Sequence, residues 1–411
     1  MKNKDSFITN LIHNYSSIAL SNLIAALTTM YVTRVLGPDN LGKVTFGKSC
    51  IAYFSFFMGP GLMLYAIKRV AETRDAKERT EKLFGELLST NLLMIFFTTV
   101  IFVVCLMVIP QFRSEKYVFI LLFCEAILNN LACDWLYKGM EDFQFVAWRE
   151  VIAHAACLIL VLLFVNGRSD YLGYVWAMFL AFSAVYIFSL VHSQKYVSRI
   201  RMSVSGGITH FKPMLPFMLM TVSGTIYANM DSVMLGFLLN MSISGYYGIA
   251  TSVKNVLSIV GIILYTTAMP ASTRVWNAGD VFEFVKLKKR LLKYVVYLIV
   301  PLFILSEVSA PLLVHVLAGK EFAISITPLR VLLLTLIPMG FSNIYGGVVL
   351  IPSGNEKKLL ICQATGAIVN LILNVPFILL WGMVGAAAST VVAEIIVWIM
   401  TAFYSTRVCR E

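Results

Sequence analysis

The stretch TIYANMDSVMLGFLL, residues 225–239, decides the fold class: it lies inside a long apolar run, yet it carries one carboxylate, Asp231. Apolar segments of similar character recur along the whole chain, each with the roughly 20 residues that a helix needs to cross a hydrocarbon core of about 30 Å. The 411 residues are 59% hydrophobic and only 13% charged, with a mean hydropathy of +0.80. That composition cannot supply the polar surface of a soluble globule. The chain therefore reads as an all-α integral membrane protein with about twelve transmembrane helices.

The twelve expected spans fall near residues 12–36, 44–65, 83–109, 117–137, 147–166, 171–194, 213–237, 243–268, 291–317, 327–351, 359–380 and 382–406. The first follows Met1, Lys2 and Lys4, as a signal peptide would, but its apolar run is too long and lacks a small-residue cleavage site, so a retained helix is expected. With the amino terminus inside, cytoplasmic segments hold 24 of the 33 basic residues, and the external loops hold five: Lys43, Arg113, Lys116, Arg168 and Lys320. This asymmetry places both termini in the cytoplasm. The formal charge of +11 is then a topology signal dispersed over the inner loops, and it argues against nucleic-acid binding.

Of seven cysteines, Cys50, Cys105, Cys124, Cys133, Cys157 and Cys362 lie in or beside spans without paired spacing and read as small apolar residues. The sequence has no CxxC pair, HExxH, Walker lysine loop or GxSxG elbow, so it offers no metal, nucleotide or nucleophile chemistry. No cofactor is expected.

Six spans precede the basic stretch KYVSRIRMSVSGGITHFK, residues 195–212, and six follow it. This suggests an amino-terminal lobe over 1–194, a flexible linker over 195–212 and a carboxy-terminal lobe over 213–411. Internal similarity supports the division. WLYKGMEDF at the end of the fourth span pairs with VLIPSGNEKK at the end of the tenth, aligning Gly139 with Gly354 and Glu141 with Glu356. LGKVTFGKS and SGYYGIATS pair Gly42 with Gly245 and Ser49 with Ser252. Duplicated six-helix halves suit a transporter with its substrate path between rocking lobes.

Ionisable groups inside spans are costly and by default face a bundle interior or an aqueous cavity. Glu125, Asp231, Lys254, Glu307 and Glu394 lie near mid-span, with Lys48 and Arg330 closer to the outer ends; Asp134, Arg34 and Lys138 sit near interfaces, where snorkelling suffices. Lys48, Lys254 and Arg330 are candidates for a cationic wall that attracts a phosphate, or for structural pairs with buried carboxylates. Glu307 and Glu394 read as interhelical hydrogen-bonding groups. The mixed-charge stretch KRVAETRDAKERTEKL, residues 68–83, reads as a connecting helix along the inner membrane surface. Around Asp231, helical spacing gathers Thr221, Gly224, Thr225, Asn229 and Ser232 on one side and leaves Leu219, Ile226, Met230 and Val233 elsewhere. The backbones of Asp231 and Lys254 differ in depth by about 7 Å and their side chains lean toward each other, so an ion pair between them is expected. Asp231 and Glu125 are the candidates for coupling to protons or sodium.

YVTRVLGPDNLGKVTFG, residues 31–47, resembles the polysaccharide flippase family that moves undecaprenyl-diphosphate-linked O-antigen repeat units, within the multidrug, oligosaccharidyl-lipid and polysaccharide exporter superfamily. GLMLYAIKRVAETR at 61–74, DSVMLGFLL at 231–239, VVLIPSGNEKK at 348–358 and GMVGAAAST at 382–390 extend the likeness over nearly the whole chain. The resemblance implies two pseudo-symmetric six-helix lobes around a charged central cavity, alternating access in the bacterial inner membrane, and coupling to a proton or sodium gradient. It also implies a lipid-linked oligosaccharide as substrate, with membrane lipids and the polymerase and chain-length regulator of the same pathway as partners. A drug or cation antiporter of the same superfamily would favour a predominantly acidic cavity. A multi-span polysaccharide polymerase would need a longer loop to carry catalytic residues.

Overall fold

The computed structural model describes the backbone of residues 2–408 apart from residue 199, and the side chains of these other than 2–16, 18, 19, 219, 220, 222–224 and 226. The expectations made for the chain ends and for the side-chain positions of Leu219, Gly224 and Ile226 lie outside the described residues. Among the described residues every regular element is a helix. Eight of these helices are long and apolar enough to cross a bilayer alone; Leu20–Met58 with Leu62–Thr73, bent by 41°, forms a ninth. Phe211–Leu238 carries the seventh expected span. Two long helices hold two spans each, because Lys2–Met58 is broken at Gly37 (φ 69°, ψ 178°) and Glu356–Val408 at Gly382 (φ 58°, ψ −131°). Those backbone angles are open to glycine and strained for other residues. The chain thus crosses about twelve times.

Lipid exposure explains the hydropathy. On Lys77–Val108, Phe96, Phe97, Val100, Ile101 and Val104 point outward while Leu87, Leu88, Ile95 and Phe102 are buried. Apolar side chains lie on both faces, which is stable only where the surroundings are apolar too.

Some boundaries differ from those read in the sequence. The second span ends at Met58 rather than near 65, because Gly59, Pro60 and Gly61 interrupt the helix before Leu62–Thr73 begins. The 68–83 stretch is not one helix: it is interrupted at residues 74–76, and Lys77 opens the next long helix. Lys43, read as a loop residue, lies within Lys2–Met58 and pairs with Glu115 at 2.8 Å.

The chain divides into two compact units, Met1–Thr225 and Ile226–Glu411, so the division falls inside Phe211–Leu238. In the first unit Lys2–Met58 packs along Phe143–Phe164 and Lys116–Leu131. In the second, the segments between Ile326 and Leu350 pack on both Met241–Asn277 and Glu356–Val408. The basic stretch expected to be a flexible linker is instead docked in the first unit. Ser203 N donates to Ser89 Oγ at 3.1 Å, Thr90 Oγ1 donates to the Gly207 carbonyl at 3.0 Å, and His210 lies 3.1 Å from Glu86. Its paired glycines permit that approach, since a Cβ on Gly206 would meet Glu86 at 2.8 Å.

The internal repeat is visible in backbone geometry, with one register correction. In the first unit Asp142 N donates to the Tyr137 carbonyl at 2.8 Å and Glu141 N to Lys138 at 3.2 Å; in the second, Asn355 N donates to Leu350 at 2.8 Å and Gly354 N to Ile351 at 3.0 Å. The left-handed residues of these matching helix-ending turns are Glu141 (φ 62°) and Gly354 (φ 71°). Glu141 therefore corresponds to Gly354, two residues away from the pairing read in the sequence. The other pairing keeps its register: Gly37 breaks the chain five residues before Gly42, and Asn240 caps Met241–Asn277 five residues before Gly245.

Candidate functional site

Asp231 is the hub of a polar network inside the second unit. Its Oδ2 accepts from Tyr247 Oη at 2.5 Å and from Thr390 Oγ1 at 2.7 Å, and its Oδ1 accepts from Asn374 Nδ2 at 2.7 Å. Behind these donors, Ser389 Oγ donates to Asn374 Oδ1 at 2.6 Å, and Asn370 Nδ2 lies 3.2 Å from Thr390 Oγ1. Tyr247, Asn370, Asn374 and Ser389 are fully buried. The four-residue helical period assembles the cluster: Tyr227 and Asp231, Asn370 and Asn374, and Thr390 and Glu394 each share a face of their segment. Tyr227 Oη completes it by donating to Glu394 Oε1 at 2.8 Å. Each hydrogen bond to an ionised carboxylate contributes about 1.5–3 kcal/mol, so three of them hold a charge that the surrounding lipid would otherwise exclude.

The expected Asp231–Lys254 ion pair is not formed. Lys254 Nζ hydrogen-bonds Asn255 Oδ1 at 3.2 Å, lies in the field of Glu394 and Asp231, and makes no ion pair among the described residues. The physical reason is competition: Tyr247, Asn374 and Thr390 already occupy both oxygens of Asp231. Glu394 bonds between helices as expected. Arg330, one of the three candidate substrate cations, reaches Glu307 at 3.7 Å, so this cation is already engaged by a carboxylate. Lys254 and Arg330 belong to the second unit and Lys48 to the first.

In the first unit Lys48 Nζ donates to Tyr174 Oη at 3.2 Å and lies 5.2 Å from that ring's centre. Glu125 acts on it at longer range, without an ion pair. Also in the first unit, Arg149 is the least exposed charged residue among those described. Its guanidinium, nearly inaccessible, meets Asp134 at 2.5 and 2.9 Å, Glu150 at 2.8 Å and Ser189 Oγ at 3.2 Å. Asp134 is thus no interfacial snorkelling group: a buried arginine holds it. At the exposed turn after the fourth span, Arg74 lies 2.6 Å from Glu141, whose hydrogen bond and charge raise the arginine's pKa.

Sequence reasoning passed over Arg149, Tyr247, Asn370, Asn374, Ser389 and Thr390. A signal was present: NLILN, residues 370–374, and STVVAE, residues 389–394, repeat polar groups at helical spacing within apolar segments.

Two helical units built of long apolar helices, with carboxylates and amines at membrane depth, define a polytopic helical membrane protein. An inward-facing multidrug resistance MATE family transporter of the MOP superfamily matches with a TM-score of 0.70 and 16% identity, over 93% of this chain and 98% of that one. The lipid II flippase MurJ in an inward closed conformation matches with a TM-score of 0.72 and 15% identity, over 96% and 87%. The family described as "Polysaccharide biosynthesis protein" matches residues 7–276, and the chain belongs to that family. Among its relatives, a protein of Escherichia coli (strain K12) named "Putative O-antigen transporter" is 22% identical over 399 residues, 96% of this chain and 95% of the relative. A Shigella dysenteriae protein of the same name is 23% identical over 374 residues, 89% and 92% of the two chains.

Proposed function

We propose that this protein is a polysaccharide transporter that flips undecaprenyl-diphosphate-linked O-antigen repeat units from the cytoplasmic to the periplasmic leaflet of the bacterial inner membrane. The observation that carries this reading is the pair of amines, Lys48 and Lys254, at membrane depth without a carboxylate ion pair among the described residues. An amine there demands an anionic partner, and a diphosphate supplies one. The family, and relatives named for O-antigen transport that align over nearly the full length, support the same substrate class.

In this account the repeated halves rock to give alternating access, the polyprenyl tail stays in lipid, and both chain termini are cytoplasmic. Asp231 couples the cycle to a proton or sodium gradient, with Glu125 of the first unit as a second candidate carboxylate. Every partner of Asp231 is a donor, which suits the ionised carboxylate. Loading a cation at Oδ2 requires Tyr247 or Thr390 to turn its hydroxyl away, which ties occupancy of that oxygen to the packing of three membrane segments.

The test replaces Lys48 and Lys254 with Ala, separately and together, and measures surface polysaccharide at constant protein abundance. Normal export by the double variant would remove the cationic path. A cation antiporter is the second reading, favoured by two carboxylates, Asp231 and Glu394, around the single amine of Lys254. It predicts increased drug susceptibility, with intact surface polysaccharide, when the gene is deleted.

A further inference from the structure

The helix Val281–Ala318 runs for 38 residues, about 57 Å at 1.5 Å per residue, whereas a hydrocarbon core of about 30 Å takes up roughly twenty of them. With Ile299–Ala318 filling the core, Val281–Tyr294 extends past it. Lys293 then stands about 9 Å beyond the apolar boundary and Arg290 and Lys289 about 14 Å, outside a headgroup layer some 5–8 Å thick. Long cationic side chains reach back across such distances. Exposed Tyr294 and Tyr297 mark the boundary, as aromatic residues do at the interface.

The two faces of this extension are opposite in character. Phe284, Lys288, Leu291 and Val295 are buried, with Phe284 packed among Trp276, Val349, Leu350 and Val408. Lys286, Lys289, Arg290 and Lys293 are exposed on the other side, and with Phe282 and Val285 they line a groove of about 400 Å³. Lys286 is tied to Glu283 at 3.2 Å, while Lys289, Arg290 and Lys293 make no ion pair among the described residues. Phe282, at the groove's far end, is 79% exposed, the most of any large apolar side chain described.

The general bias of basic residues toward the cytoplasm does not account for this face. The corresponding start of the third span, six spans earlier, balances Lys77, Arg79 and Lys82 with Glu78, Glu81 and Glu86, whereas Val281–Tyr294 sets one glutamate against five basic residues.

We infer that the Lys289–Arg290–Lys293 face is a binding site for an anionic glycerophospholipid of the cytoplasmic leaflet, its phosphate held by the three cations and its glycerol-ester region lying along Tyr294 and Tyr297. Position selects this occupant over the transported diphosphate: the three cations lie opposite the face packed on Val349, Leu350 and Val408, and they stand beyond the apolar boundary rather than within the membrane. The site fixes the height of the ninth span in the membrane and makes the protein sensitive to lipid charge.

The test uses full-length protein in nanodiscs of equal phosphatidylcholine and phosphatidylglycerol, with retained lipid counted by native mass spectrometry. The wild type should retain phosphatidylglycerol selectively. The variant K289Q/R290Q/K293Q should lose about fivefold in phosphatidylglycerol affinity for each cation removed. Its unfolding midpoint should stay unchanged, because the replaced groups are exposed and unpaired. The control K77Q/R79Q/K82Q should keep the wild-type selectivity. Equal retention by both variants, or equal loss in both, would overturn the site. Displacement of phosphatidylglycerol from the wild type by farnesyl diphosphate would overturn the phospholipid assignment in favour of the substrate.

Discussion

Replacing Asp231 separates its structural role from its role in coupling. In Asp231→Ala, three hydrogen bonds to a carboxylate disappear and the buried donors of Tyr247, Asn374 and Thr390 lose their acceptor. Thr390 retains the Ala386 carbonyl at 3.1 Å and Asn374 retains Asn370 Oδ1 at 3.2 Å, so the phenol of Tyr247, fully buried, is the donor left without a partner. An unsatisfied buried group of this kind costs about 1–3 kcal/mol, and the lost charge-assisted bonds raise the total to about 3–5 kcal/mol. Asp231→Asn is milder, because both hydroxyl groups can turn to accept from the new amide while its oxygen still faces Asn374; about 1–2 kcal/mol is expected. Thermal unfolding of the purified protein should rank wild type above Asn above Ala, while gradient-driven flipping in vesicles is lost in both variants. An Ala variant as stable as wild type would refute the network, and an Asn variant with full gradient dependence would refute the coupling role.

Arg149→Met should destabilise by about 3–5 kcal/mol, because it strands Asp134 and Glu150 against a buried site; Lys254→Met, which breaks no ion pair, should unfold within about 1 kcal/mol of wild type. Gly382→Ala forces a Cβ into a backbone conformation that costs about 1–3 kcal/mol, readable as a lower unfolding midpoint. Reporter fusions at Asn40, Gly167 and Lys320 should read periplasmic, and a cytoplasmic signal there would invert the topology. Arg330→Ala should reduce export less than Lys254→Ala, measured as surface polysaccharide, because Arg330 is held by Glu307.

Hydropathy made the helical segments legible because each must satisfy its backbone internally in lipid, so length and composition suffice. It could not separate helices broken by one glycine at Gly37 or Gly382 from helices separated by loops, since neither break alters the apolar pattern. Asp231 stood out as a lone carboxylate in an apolar run. Its partners did not: hydroxyl and amide groups are common in membrane segments, and only the packing of segments far apart in sequence shows that Tyr247, Asn374 and Thr390 converge on it. Depth and side-chain lean brought Lys254 toward Asp231, but spacing along two helices gives no information about a third, and Asn374 and Thr390 come from elsewhere in the chain. The docked 200–212 stretch failed for a related reason: adjacent glycines mark flexibility or close approach equally, and only the facing Glu86 and Thr90 decide between them.

The most direct test of the account reconstitutes the purified protein in vesicles with a fluorescent undecaprenyl-diphosphate-linked oligosaccharide and follows its transfer between leaflets under imposed proton or sodium gradients. The account predicts gradient-dependent transfer by the wild type, loss of transfer in Lys48→Met with Lys254→Met, and gradient-independent residual transfer in Asp231→Asn. Wild-type protein that moves no lipid-linked diphosphate under either gradient, while exporting a cationic drug, would contradict it.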